Sequence, residues 1–157
     1  MIERKTREQV SYHEAGHAVV ASALGIKVYW VHTIVDSGSD WKGETRAGPQ
    51  EDEKVTDPKL LAFLVCVAVG GRAADLIVCD LDDWWDVPDC KDDRCLALES
   101  WKDLTEVGDL RPYVDEVAFP RALATLTDER QRLDAVAKRL LEAGSIWKPA
   151  DLTEFGL

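Results

Sequence analysis

A chain of 157 residues, 46% hydrophobic and 31% charged, has the make-up of an ordinary globular protein, and one domain over residues 1–157 is expected. A net charge of -11 repels nucleic acid and anionic membrane surfaces alike, which excludes partners of either kind. No apolar run approaches the roughly 18 residues that span a bilayer, and the charged opening Met1-Ile2-Glu3-Arg4-Lys5 is unlike a signal peptide, so a cytoplasmic protein without membrane insertion is expected. In that compartment the four cysteines (Cys66, Cys79, Cys90 and Cys95) read as reduced thiols.

Residues 3–24 read as a helix, with apolar positions at helical spacing and Gly25 at its end. Inside it stands His13-Glu14-Ala15-Gly16-His17, an HExxH pattern. Four residues make slightly more than one turn, so His13 and His17 share a face and can close on one metal ion. Glu14 follows the first imidazole, where its carboxylate can reach a water held by the metal. Zinc takes neutral imidazole ligands and keeps an open position, and a carboxylate beside it accepts the proton of the acidified water. This spacing is the zincin signature of a metal-dependent peptidase. The flanks, with Val10, Tyr12, Ala18, Val19, Val20 and Ala21, make the helix apolar enough to be buried. Two His and a Glu there are costly unless a metal or hydrogen bonds compensate them. Gly16 is expensive inside a helix, which points to another backbone packed close against it.

Residues 27–35, rich in β-branched and aromatic types, read as a strand, and 36–40 as a turn. Residues 43–47 read as a short returning edge strand, making a hairpin over the cleft. In zincins such a strand beside the metal helix pairs with the extended substrate backbone, and Gly43, Glu44 and Thr45 are the candidate substrate-binding residues. A plain hairpin shielding the core fits these residues equally. His32, in the apolar strand, reads as a structural residue. A second helix is expected over 57–76 with Gly70-Gly71 as a tight packing point, and Cys66 in it reads as core. Residues 78–91 read as an irregular loop. Its acidic run from Asp80 to Asp86 carries Trp84-Trp85, an aromatic pair that suits a contact surface. A third helix is expected over 92–105, a connection of short strand or helix over 108–120, and a long last helix over 123–143 closed by Gly144. The fold class is α+β, mostly helical, with a two- or three-stranded sheet beside the metal-binding helix.

The stretch Ser11-Tyr12-His13-Glu14-Ala15-Gly16-His17-Ala18-Val19-Val20 resembles the zinc helix of the FtsH/paraplegin-type AAA+ proteases. Val69-Gly70-Gly71-Arg72-Ala73-Ala74-Asp75-Leu76 resembles the GGRxAEE segment of that family, and the likeness extends over nearly the whole chain. The resemblance implies a zincin-like fold and a zinc metalloendopeptidase that cuts unfolded or extended polypeptides, with Zn2+ held by His13, His17 and a later Asp, and Glu14 as general base. In the family that Asp lies in a pattern like S-N-D-x-x-x-A, and Lys91-Asp92-Asp93-Arg94-Cys95-Leu96-Ala97 takes the corresponding place. Asp93 keeps the register to Ala97, whereas Asp92 would need Leu96 there. Neighbouring helical residues point about 100° apart, so only one of the two can serve, and Asp93 is the candidate. Members of the family carry a membrane anchor and an ATPase upstream. No G-x-x-x-x-G-K-[ST] loop occurs in this chain, so the expectation is a protease domain standing alone, with a separate AAA+ ATPase and a homo-oligomer as candidate assemblies. The alternative is a catalytically inactive relative that keeps the fold as a binding or scaffold domain.

Overall fold

Thr6 starts the first helix through a reciprocal cap. Its hydroxyl accepts from the Gln9 amide at 3.1 Å, and the Gln9 side chain accepts from the Thr6 amide at 2.8 Å. This helix, α1 (Arg7–Ala23), ends at Leu24, and Gly25 takes the left-handed φ of 75° that turns the chain toward the sheet. The computed structural model describes residues 6–35, 40–49, 57–79 and 110–157. The expected turn at 36–40, except Asp40, lies outside these residues. So do the Trp84-Trp85 loop, the helix over 92–105 and both candidate aspartates within it.

After α1 come β1 (Val28–Val35), β2 (Trp41–Ala47), α2 (Pro58–Cys79) and α3 (Leu110–Tyr113). A π-helical turn (Val114–Ala118) then leads into α4 (Phe119–Asp128), α5 (Arg130–Ala143), β3 (Ser145–Ile146) and α6 (Pro149–Glu154). The described residues form a mostly helical α+β structure with one antiparallel sheet of strand order β2-β1-β3. Every residue of α1 from His13 to Ala21 is buried, because α2, α4, α5 and the hairpin surround the helix on all sides. α1 and α2 cross at Gly16 and Gly70, the close backbone approach that a glycine inside the motif suggested.

Residues 110–120 are helical, one of the two forms expected of this connection, and the widened π turn ends two residues before Pro120, which has no amide to donate to the helical ladder. Two details depart from the sequence reading. The expected last helix is two, broken at Glu129 (φ -97°, ψ 22°). Upstream of the break the hydroxyls of Thr125 and Thr127 donate back to the carbonyls of Arg121 and Leu123 at 2.8 Å each, and such back-bonding bends helices. Finally, by length and composition the Pro58–Val78 stretch is apolar enough to cross a membrane, against the expectation that no run comes close. Over an 18-residue window of that stretch 67% of the residues are buried inside the protein, as in a core helix, with Val65, Ala68 and Val69 inaccessible to solvent.

The third strand follows from the end of α5. Gly144 adopts φ 76°, and its carbonyl accepts from the Thr33 amide at 2.8 Å, which sets Ser145 and Ile146 beside His32 and Val31. Along β1 the side chains of Val31 and Thr33 face inward and are buried. Their partners on β2 are Thr45 and Gly43, so these two residues of β2 share the inward face toward α1.

Candidate active site

His13 and His17 stand one turn apart on α1 with only 6% and 7% of their surface exposed. Their Nε2 atoms lie 3.2 Å apart and their rings meet edge to face. The other nitrogen of each ring is held by α2. His13 Nδ1 lies 2.8 Å from Asp75 Oδ2, and His17 Nδ1 lies 2.7 Å from the Val67 carbonyl oxygen. Both partners are acceptors, so both rings carry their proton on Nδ1 and present a lone pair at Nε2. The Gly71 amide is 3.3 Å from the same His17 nitrogen. With that nitrogen protonated toward Val67, this is a close approach and not a second hydrogen bond. Two converging Nε2 lone pairs suit a cation, since nitrogens bound to one tetrahedral zinc at about 2.0–2.1 Å stand about 3.3 Å apart.

Glycine at position 71 makes room for this pair. A Cβ there would lie 2.5 Å from His17 Nε2 and 2.6 Å from His13 Nε2, closer than any side chain tolerates. One residue on, Arg72 is 1% exposed, with Nη1 3.4 Å from Asp75 Oδ2. A buried guanidinium stays charged and demands an anion, so Asp75 is held as a carboxylate between Arg72 and His13. Asp75, Val67 and Gly71 escaped the sequence reading as parts of the site. The available signal was composition: between Leu60 and Val78, Arg72 and Asp75 are the sole charged residues, three apart in an apolar helix.

Glu14, 6% exposed, turns toward β2. Thr45 Oγ1 donates to Glu14 Oε2 at 2.7 Å and lies 3.1 Å from the Glu14 carbonyl oxygen. Gly43 lies directly against the Glu14 side chain. Of the three candidate substrate-binding residues, Gly43 and Thr45 are therefore brought to Glu14, while Glu44 faces the other side of the sheet. There its carboxylate is 3.6 Å from His32 Nε2, and the His32 ring stacks on Trp30 at 4.6 Å. That face is apart from the two imidazoles of α1. Asp93, like its alternative Asp92, lies outside the described residues, so the described part of the site comprises His13, His17, Glu14 and the residues that hold them.

The sequence comparisons point the same way as this geometry. The family model described as peptidase family M41 matches residues 1–82. The ATP-dependent zinc metalloprotease FtsH of Ureaplasma parvum serovar 3 is 40% identical over 80 residues, which cover 50% of this chain and 11% of that protein. FtsH of Kosmotoga olearia is 38% identical over 76 residues, covering 47% of this chain and 12% of that protein. With FtsH of Thermobaculum terrenum the alignment extends over 184 residues at 28% identity, covering 93% of this chain and 28% of that protein. This chain thus spans between 11% and 28% of the length of these relatives.

Proposed function

Given that the chain belongs to peptidase family M41, as an FtsH-type peptidase domain, we propose that it is a zinc-dependent metalloendopeptidase acting on unfolded or extended polypeptides. The observation that carries this reading is the pair of imidazole Nε2 atoms 3.2 Å apart, each ring held through Nδ1, with the Glu14 carboxylate on the same helix. In this reading His13, His17 and Asp93 hold the ion within a zincin-like fold. A bound zinc ion supplies Lewis acidity, which acidifies a water and polarises the scissile carbonyl. Glu14 takes the proton of the attacking water and returns it to the leaving amine.

The substrate lies extended along β2. One edge of β2 pairs with β1, and among the described residues no strand pairs with the other, which suits recognition of many sequences through main-chain hydrogen bonds. Gly43, Glu44 and Thr45 form this edge. With no phosphate-binding loop in the sequence, the chain hydrolyses peptides without ATP. The relatives are named ATP-dependent, so delivery of folded proteins falls to an ATPase module that these 157 residues do not contain. The proposed setting is the cytoplasm, with the chain forming one domain.

The test is metal content and cleavage of an unfolded polypeptide by the purified protein and three variants. Glu14→Gln should keep one zinc per chain and lose at least about 100-fold in hydrolysis, the scale of a missing general base. Asp93→Ala should lose the zinc and Asp92→Ala should keep it. Wild-type cleavage rates in Glu14→Gln would overturn the reading, and a zinc-loaded wild type that cuts nothing would leave a binding or scaffold domain in its place.

A further inference from the structure

The strand that forms the substrate edge also grips the base. Gly43 and Thr45 are two residues apart on the inward face of β2, and both meet Glu14. Thr45 has a single hydroxyl proton and two acceptors in reach, Glu14 Oε2 at 2.7 Å and the Glu14 carbonyl oxygen at 3.1 Å. The shorter bond, to a carboxylate, is the charge-assisted one and takes the proton. Gly43 closes the other side: a Cβ there would fall onto Glu14 Cγ and lie 2.7 Å from Cδ and Oε1. A flexible side chain with three rotatable bonds is thereby walled along its length and tethered at one oxygen.

We propose that Thr45 is a positioning residue for Glu14, and that Gly43 and Thr45 together clamp this carboxylate so that Oε2 is held and Oε1 is left to take the proton. The inference rests on the reading of Glu14 as general base. A polypeptide that pairs with the outer edge of β2 thus lies along the strand whose inward face holds the base.

The experiment compares Thr45→Val, which removes the donor and keeps a β-branched shape suited to a strand, with Thr45→Ser, which keeps the hydroxyl. Each is measured for zinc content, thermal unfolding, kcat and KM on an unfolded polypeptide, and the Glu14 conformation in crystals of the zinc-loaded protein. Thr45→Val is expected to keep its zinc and its melting temperature, to lose about 10- to 100-fold in kcat with KM within about twofold, and to show the Glu14 carboxylate displaced. Thr45→Ser is expected to return kcat to within about threefold of wild type, with Glu14 in place. The inference is overturned if Thr45→Val retains its kcat, if the loss falls in KM, if Thr45→Ser fails to restore turnover, or if Glu14 is unmoved. Failure of the underlying reading has a separate signature, wild-type activity in Glu14→Gln, and the inference falls with it.

Discussion

Gly16 of α1 and Gly70 of α2 meet backbone to backbone. A Cβ at Gly16 would fall onto the Gly70 carbonyl and lie 2.7 Å from Ala74 Cβ, and a Cβ at Gly70 would lie 2.9 Å from the Gly16 carbonyl oxygen. Because Gly16 is the fourth residue of the HExxH pattern, this crossing sets how closely His13 and His17 approach the α2 groups that hold them.

Gly16→Ala weighs two opposed effects. Alanine is favoured over glycine inside a helix by about 1 kcal/mol. Overpacking costs about 1–3 kcal/mol, and the upper part of that range applies because the obstacle is a helical carbonyl that cannot turn aside. A net loss of about 1–2 kcal/mol is expected by chemical denaturation. A stabilised variant would show that the two helices do not touch in this way.

At Gly71 the obstacles are two imidazole rings, which can rotate where a carbonyl cannot. Gly71→Ala should therefore cost less stability than Gly16→Ala while pushing both Nε2 atoms out of convergence. Competition against a chromophoric chelator should read at least about a 10-fold loss of zinc affinity, the scale on which altered support of metal ligands is felt. Undiminished affinity would mean that the ion sits elsewhere.

Asp75 meets both His13 and Arg72, and these two roles can be separated. Asp75→Leu removes the acceptor of His13 and strands the Arg72 cation in the interior, a loss of about 3–5 kcal/mol for a broken buried pair. Adding Arg72→Met removes the stranded charge and should restore most of the stability. Zinc affinity in this double variant should remain about 10- to 100-fold below wild type, because the Asp75 acceptor that orients the His13 ring is still gone. Recovery of both properties together would show that Asp75 supports the fold alone.

Alkaline pH should weaken the fold. Burial pushes the hydroxyl of Tyr12 above its ordinary value of 10.0, helped by the hydrogen bond to Asp134, and burial likewise raises the Cys66 thiol above 9.0 and the Tyr113 hydroxyl above 10.0. Each group is neutral when protonated, and the folded state favours that neutral form. Their contribution is thus complete below the unfolded values and is lost as pH rises through the folded ones. Urea denaturation should read lower stability at about pH 10.5 than at about pH 8, with a smaller difference in Tyr12→Phe. Stability that is flat or rising over this window would contradict the assignment.

The imidazole pair was legible in the sequence because its geometry is local: four residues on a helix put His13 and His17 on one face whatever surrounds them. Gly16 could be read for a similar reason, since a glycine inside a helix has a cost that only a close neighbour explains. The strands Val28–Val35 and Trp41–Ala47 and the end of α5 at Gly144 also followed from local composition, to within a few residues. What holds the site came only from tertiary packing. Asp75 lies 62 residues from His13 and Thr45 lies 31 residues from Glu14, and no periodicity links positions so far apart. The acceptor for His17 is a backbone carbonyl, for which any residue at position 67 would serve, so no side chain marks it. The third strand, two residues long, exists because the turn at Gly144 delivers it to an edge of β1 already in place. Local spacing determined which groups can act together, and the crossing of α1 with α2 and β2 decided which atoms orient them.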